Sequence, residues 1–298
     1  MSPVQQRIVW PVHHRTASVD GREVFYREAG DPAAPHVVLL HGFPTSSLMF
    51  RRLMPRLADR FHMIAPDHLG FGLTDAPPQG EVDYSFELLT DVTEGLLAQL
   101  GIDRCAIYVQ DYGAPIGWRL ATRENVAVTA IVSQNGNAYE EGFVPGFWEG
   151  VWAYGEAPGP ETEGAVRGAL DFELIRWQYL NGEPDPTLAD PEMIVHDVTM
   201  VGRPGNDAIQ LRLFRDYPTN RDLYPRLHEW FRRTQVPLLA VWGKNDEIFG
   251  PDGARAFTRD LPDAEVQLID GGHFALECHV DEIAASMRLF LERVLAVG

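Results

Sequence analysis

Polar and apolar residues alternate over 16–19, and 22–27 carries the apolar run Val24-Phe25-Tyr26, on either side of Asp20-Gly21. That dipeptide between two such runs predicts a tight β-hairpin. Beyond it the pattern changes. Short apolar runs at 36–40, 62–65, 106–110 and 236–242 predict strands buried on both faces, as in a parallel sheet. Residues 126–134 and 265–270 predict two more. Segments with helical spacing lie between them, at 47–60, 84–100, from 114 onward, at 251–261 and at 281–295. Thr45-Ser46-Ser47 suits the start of one such helix and Gly101 the end of another. A hairpin followed by strand and helix in turn describes a mostly parallel sheet covered by helices on both faces.

The rhythm breaks between 138 and 230. This stretch is rich in Gly, Pro and Trp, its periodic parts (163–180 and 207–217) look helical, and no strand is convincing. It reads as a helical cap inserted into the sheet domain, dividing the chain into 1–137, 138–230 and 231–298. Trp148, Trp152, Trp177 and Trp230 are available there to line a cavity.

Composition narrows the partners. The 298 residues carry 25 Lys and Arg against 43 Asp and Glu, a net charge of −18. Such a chain repels nucleic acid and anionic membrane surfaces. Two cysteines, Cys105 and Cys278, argue against a disulfide framework, and Cys105 reads as a small core residue. The N-terminus lacks the apolar segment of a signal peptide, and no run approaches the roughly eighteen apolar residues of a membrane span. The expectation is a cytoplasmic, soluble protein. His13 and His14 are adjacent and point apart, no His/Glu spacing matches a zinc motif, and neither metal nor cofactor is implied.

The chemistry gathers at 110–113, Gln-Asp-Tyr-Gly. Here an apolar strand reverses into a helix over three residues, with Pro115 in the helix's first turn, where its missing N–H costs nothing. A turn so sharp lifts its apex residue above the sheet beside unpaired helical N–H groups. The apex is Asp111. Three more polar residues follow predicted strands: His41, Asp246 and His273, and in a parallel sheet function collects at those carboxyl ends. The order Asp111, Asp246, His273 is that of a nucleophile, an acid and a histidine.

With His41-Gly42-Phe43-Pro44, Gln110-Asp111-Tyr112-Gly113, 243–246 and Gly272-His273-Phe274, the chain resembles the α/β-hydrolase superfamily over nearly its full length. Within it the likeness is to the aspartate-nucleophile branch of epoxide hydrolases and haloalkane dehalogenases. The resemblance implies an eight-stranded, mostly parallel sheet flanked by helices, with an inserted cap. It implies that Asp111 attacks an sp³ carbon to form an alkyl ester. Water activated by His273, itself oriented by Asp246, then cleaves the ester. The backbone N–H groups of Phe43 and Tyr112 would receive the oxyanion. Of partners, it implies a small apolar organic substrate and water, with a homodimer allowed for.

Each residue also has a plainer reading. Asp111 could be an N-cap, His273 a core histidine and Asp246 a turn residue, with Glu140 or Glu141 the runner-up acid; His41 reads as a tie for the oxyanion loop. The family's dehalogenases typically place Trp after the nucleophile and often Asn in the oxyanion loop; Tyr112 and Phe43 stand at those positions. An indole from Trp148, Trp152 or Trp177 could substitute, and Thr45-Ser46-Ser47 resembles dehalogenases. Epoxide hydrolases usually use two cap tyrosines, and Tyr179 and Tyr217 lie where the resemblance would put them, although Pro218 replaces the usual basic residue. Epoxide opening therefore leads and dehalogenation follows. A hydrolase-derived receptor or an esterase is a more distant expectation, since Ser133 lies within a strand and not at an elbow.

Overall fold

A computed structural model describes residues 10–295; the N-terminal stretch read for a leader lies almost wholly outside the described residues. One sheet of eight strands runs β1 (His13–Val19), β2 (Arg22–Ala29), β4 (His62–Pro66), β3 (His36–Leu40), β5 (Arg104–Val109), β6 (Ala127–Ser133), β7 (Leu238–Gly243) and β8 (Glu265–Ile269). The β1–β2 and β2–β4 pairs are antiparallel and the rest are parallel. This is the alpha/beta hydrolase fold. Asp20 and Gly21 both have positive φ, 48° and 78°, the two left-handed positions of the hairpin turn.

Strands β3 to β7 are apolar because helices cover them on both sides. One core layer, including Leu40, Ile107 and Ile131, packs against the Phe86–Gln99 and Gly113–Arg123 helices. The other, including Val37, Leu39 and Val132, packs against Val280–Val294. Ser85 starts the Phe86–Gln99 helix by accepting the Leu88 N–H.

Some expected helices are broken. The predicted helix at 47–60 is a 3₁₀ turn, Ser47–Arg51, and a short helix, Met54–Leu57, because Pro55 fits only the first turn of a new helix. The predicted 163–180 helix is two, Pro160–Arg167 and Phe172–Leu180, parted by a 3₁₀ turn, Gly168–Leu170. The predicted 251–261 helix shortens to Pro251–Ala256 with a 3₁₀ turn after it.

Between β6 and β7 the chain is helical, and it includes three helices not anticipated: Pro145–Glu156, Pro191–Val201 and Tyr224–Thr234. The first and second open on prolines whose positions inside a low-periodicity stretch hide the helical pattern. The third packs on the Gly113–Arg123 helix, with Phe231 and Trp118 rings 5.9 Å apart. Trp230 is buried in that helix beside Phe231. Position 230 therefore falls inside a helix that leans on the sheet's own helices. No helix among the described residues is long and apolar enough to cross a membrane.

Candidate active site

Register brings the site together. Leu40 pairs with Val109 across β3 and β5, so the loops after these strands rise side by side. Gln110 N–H donates to the Leu40 carbonyl and Gly113 N–H to the Gln110 carbonyl, closing the turn between them. Asp111 at its apex has φ +47°, a conformation that strains most side chains. Two glycines allow the crowding. A Cβ on Gly113 would stand 2.1 Å from the Leu40 carbonyl oxygen, and one on Gly42 would stand 2.4 Å from Asp111 Cβ.

The Asp111 carboxylate is held by backbone. Phe43 N–H donates to Oδ1 at 2.7 Å, and Tyr112 N–H bonds the same carboxylate. Oδ2 faces His273, 3.9 Å from Nε2. Burial raises the Asp111 pKa, outweighing His273 and the two N–H groups that favour the charge. His273 follows β8, and its Nδ1 lies 2.8 Å from Asp246 Oδ2, which follows β7. Burial would lower the His273 pKa, but Asp246 and then Asp111 raise it overall. All three side chains are less than a tenth exposed.

The Asp246 carboxylate is itself oriented. Asn135, just past β6 with φ +48°, donates to Oδ2 at 2.7 Å, and Ile248 N–H donates to Oδ1 at 2.7 Å. Asn135 was legible only as a turn residue after a strand. Glu140 and Glu141 point elsewhere, pairing with Arg221 and Arg259 on the surface. Glu183, unmarked by any motif, accepts the Gly272 N–H at 2.8 Å and pairs with His279, anchoring the His273 loop. His41 donates from Nδ1 to the Gly42 carbonyl and accepts the His68 N–H at Nε2; burial pushes its pKa down to about 3. It is a neutral tie within the Phe43 loop.

The leaving-group candidates separate. Tyr217 sits over the elbow, its ring 5.7 Å from that of Tyr112 and 4.5 Å from that of Trp148. Tyr179 stacks on Phe274 at 4.0 Å, and its hydroxyl donates to the buried Asp197 carboxylate. The two tyrosines share no ring contact, and the Tyr179 proton is already engaged. Trp148 donates its indole N–H to the Ile248 carbonyl at 2.8 Å. Trp152 packs on Phe143 and Tyr217 under the Arg221 guanidinium. Trp177 lines a cavity of about 490 Å³ with Val144, Phe147, Val151, Val166 and Phe214. Phe214 also touches Phe43 and Tyr112, linking that apolar space to the elbow. Among the described residues no group of three or more His, Cys, Asp or Glu is placed to hold a metal ion.

An α/β sheet with such loops defines a class, and comparison with known proteins agrees. The alpha/beta hydrolase fold family matches residues 35–156 and 203–280, and the chain belongs to it. An uncharacterized hydrolase of Saccharomyces cerevisiae is 42% identical over 91% of this chain and 94% of its own. A haloalkane dehalogenase of Mycobacterium marinum is 34% identical over 87% of this chain and 85% of its own. The crystal structure of a haloalkane dehalogenase loop variant from Bradyrhizobium elkanii superposes with a TM-score of 0.79 at 25% identity, covering 96% of this chain and 98% of that one. Proteins named epoxide hydrolase also match. The protein is a hydrolase of this family, related to both groups.

Proposed function

We propose that the protein opens epoxides to diols through an ester on Asp111. The observation that carries this is the Asp111 carboxylate itself, set on a strained apex, gripped at Oδ1 by the Phe43 N–H, and turned by Oδ2 toward a histidine backed by Asp246. A carboxylate needs no base to attack an sp³ carbon. Its attack breaks one ring C–O bond and the ring oxygen takes the Tyr217 hydroxyl proton, which the phenolate regains from the Asp111 carboxyl once the ester is hydrolysed. Water then gives a proton to His273 Nε2 while its oxygen bonds to the ester carbonyl carbon. The resulting oxyanion lies at the Phe43 and Tyr112 N–H groups, and collapse releases the diol.

Electrostatics favour this order. The negative charge of Asp111 is one of two supports for a proton on His273. Ester formation removes it, so the imidazole is easier to keep neutral just when a base is required.

Tyr217 supports epoxide as the substrate. Burial raises its pKa well above that of a free phenol, so it stays protonated at neutral pH as a donor above the elbow. A halide has fewer partners, since the Trp148 N–H is engaged and Tyr112 and Phe43 offer no side-chain N–H. Dehalogenation by the same Asp111, His273 and Asp246 is the second reading, favoured by the similarity to dehalogenases.

Intact mass of His273→Gln protein exposed to epoxides and haloalkanes distinguishes the two. Without the base the ester should form and persist. An added mass equal to the whole epoxide supports ring opening, and an alkyl mass with halide released supports dehalogenation. No adduct on either panel, or an adduct surviving in Asp111→Ala, overturns the covalent reading.

A further inference from the structure

We infer that Gln110 is a positioning residue whose amide turns over as His273 takes up and returns its proton, serving hydrolysis of the ester and not its formation. The inference rests on the reading of Asp111 as nucleophile.

Gln110 is fully buried and immediately precedes Asp111, and its backbone is tied at both ends, to Leu40 and Gly113. Its side-chain Nε2 lies 3.0 Å from His273 Nε2. Because His273 Nδ1–H is donated to Asp246, Nε2 carries the lone pair, and only a donor can face it. The amide N–H therefore caps the same lone pair that must receive the proton of water. The other end of the amide, Oε1, is buried without a partner. A Cβ on Gly42 would lie 2.5 Å from that oxygen and 2.6 Å from Asp111 Oδ1, so both acceptors border Gly42.

A half-turn of the amide reverses both relations. Oε1 then faces Nε2 and accepts its proton, and the N–H takes the place of Oε1 beside Gly42. Each orientation suits one protonation state of His273. When water bonds to the ester carbonyl carbon and its proton moves to Nε2, the electron pair of the C=O bond moves to oxygen at the Phe43 and Tyr112 N–H groups. When the tetrahedral species collapses, the C–O bond to the diol breaks and the departing alkoxide takes the proton from Nε2. Between these events Nε2–H needs an acceptor. Asp111 Oδ2 is 3.9 Å away, and the turned Gln110 supplies one nearer. The charged groups facing His273 are Asp246 and Asp111; Phe249 and Phe274 rings cover the rest of the imidazole.

Two variants test this by rapid-quench intact mass under single turnover, with an epoxide found to label His273→Gln protein. Gln110→Met keeps the length and removes donor and acceptor. It should form the ester within about threefold of the normal rate and hydrolyse it about tenfold or more slowly, so the adduct accumulates. Gln110→Glu keeps an acceptor and adds a charge that retains the proton on His273, so the pH midpoint of hydrolysis should rise by about one unit. Equal slowing of both steps in Gln110→Met, or normal hydrolysis of its ester, overturns the inference. If Gln110→Met does not fold, an unmoved midpoint in Gln110→Glu overturns it. Absence of any Asp111 ester in His273→Gln protein would overturn the nucleophile reading instead, a result distinct from an ester that forms and drains normally.

Discussion

Asp111 and Asp197 are both buried carboxylates, and the groups around them are assembled by different means. Asp111, Asp246 and His273 are presented by loops at the carboxyl ends of β5, β7 and β8, with positive-φ turns at Asp111 and Asn135 and close glycine contacts fixing the backbone. Asp197, Tyr179 and His196 meet on helices between β6 and β7, where Asp197 is fully buried and Tyr179 reaches it across from a neighbouring helix. Burial raises the pKa of both Asp111 and Asp197. The difference lies in what meets the carboxylate. Asp197 has a hydroxyl and an imidazole, whereas Asp111 has the Phe43 N–H at Oδ1 and faces the His273 imidazole with Oδ2. Burial alone does not make a carboxylate a nucleophile; on the proposed reading, the Oδ2 that faces His273 from a strained apex is what sets Asp111 apart.

Removing the carboxylate behind His273 has the largest expected effect. Asp246→Asn keeps the shape of the loop and leaves His273 Nδ1 without its carboxylate, so kcat should fall by about 10³–10⁴ with the fold retained by circular dichroism. Glu140→Gln, which disturbs only a surface pair with Arg221, serves as the control. A loss of similar size in that control would remove Asp246 from its role.

The tyrosines give a smaller effect of opposite kind at the two clusters. Tyr217→Phe should lower kcat/KM for an epoxide by about ten- to a hundredfold and leave any haloalkane turnover little changed. Tyr179→Phe should leave kcat within a few-fold and instead destabilise the fold by about 1–3 kcal/mol, because buried Asp197 loses a donor. Thermal unfolding and steady-state rates on both variants check the pair, and the reverse assignment would place the proton donor at Tyr179.

The smallest effect concerns stability at the site itself. Since burial raises the Asp111 pKa, the unfolded chain loses this proton first as pH rises, and the ionised carboxylate then penalises the folded state. Asp111→Asn should be inactive yet more stable by about 1 kcal/mol at neutral pH, Asn also tolerating the positive φ. That gain should vanish below the ordinary carboxylate pKa of about 4, where both states are protonated. A variant less stable at pH 7, or one whose gain is independent of pH, would show that the carboxylate is not held against its solvation.

Much of the fold was legible because its cause is local. The Asp20-Gly21 turn, the short apolar strands and the elbow at 110–113 are dictated by residues next to one another, and each strand end carries its polar residue in plain view. The helices at 145–156 and 191–201 were not legible, because they are held by packing across the molecule and their own periodicity is weak. Asn135 and Glu183 escaped notice for the same reason: each acts on a loop about ninety or more residues away, Asn135 on Asp246 and Glu183 on Gly272.

From its own order of residues, then, this chain determined a hairpin followed by a parallel α/β sheet, an aspartate at a sharp apex, and a histidine and second aspartate after later strands. Tertiary structure alone decided which acid meets His273, which tyrosine is engaged by Asp197 and which ring packs on Tyr112 at the elbow, and how Gln110 faces His273. Backbone turns are set by neighbours along the chain, whereas the partner of a side-chain proton is set by whatever distant group the folded core brings within 3 Å.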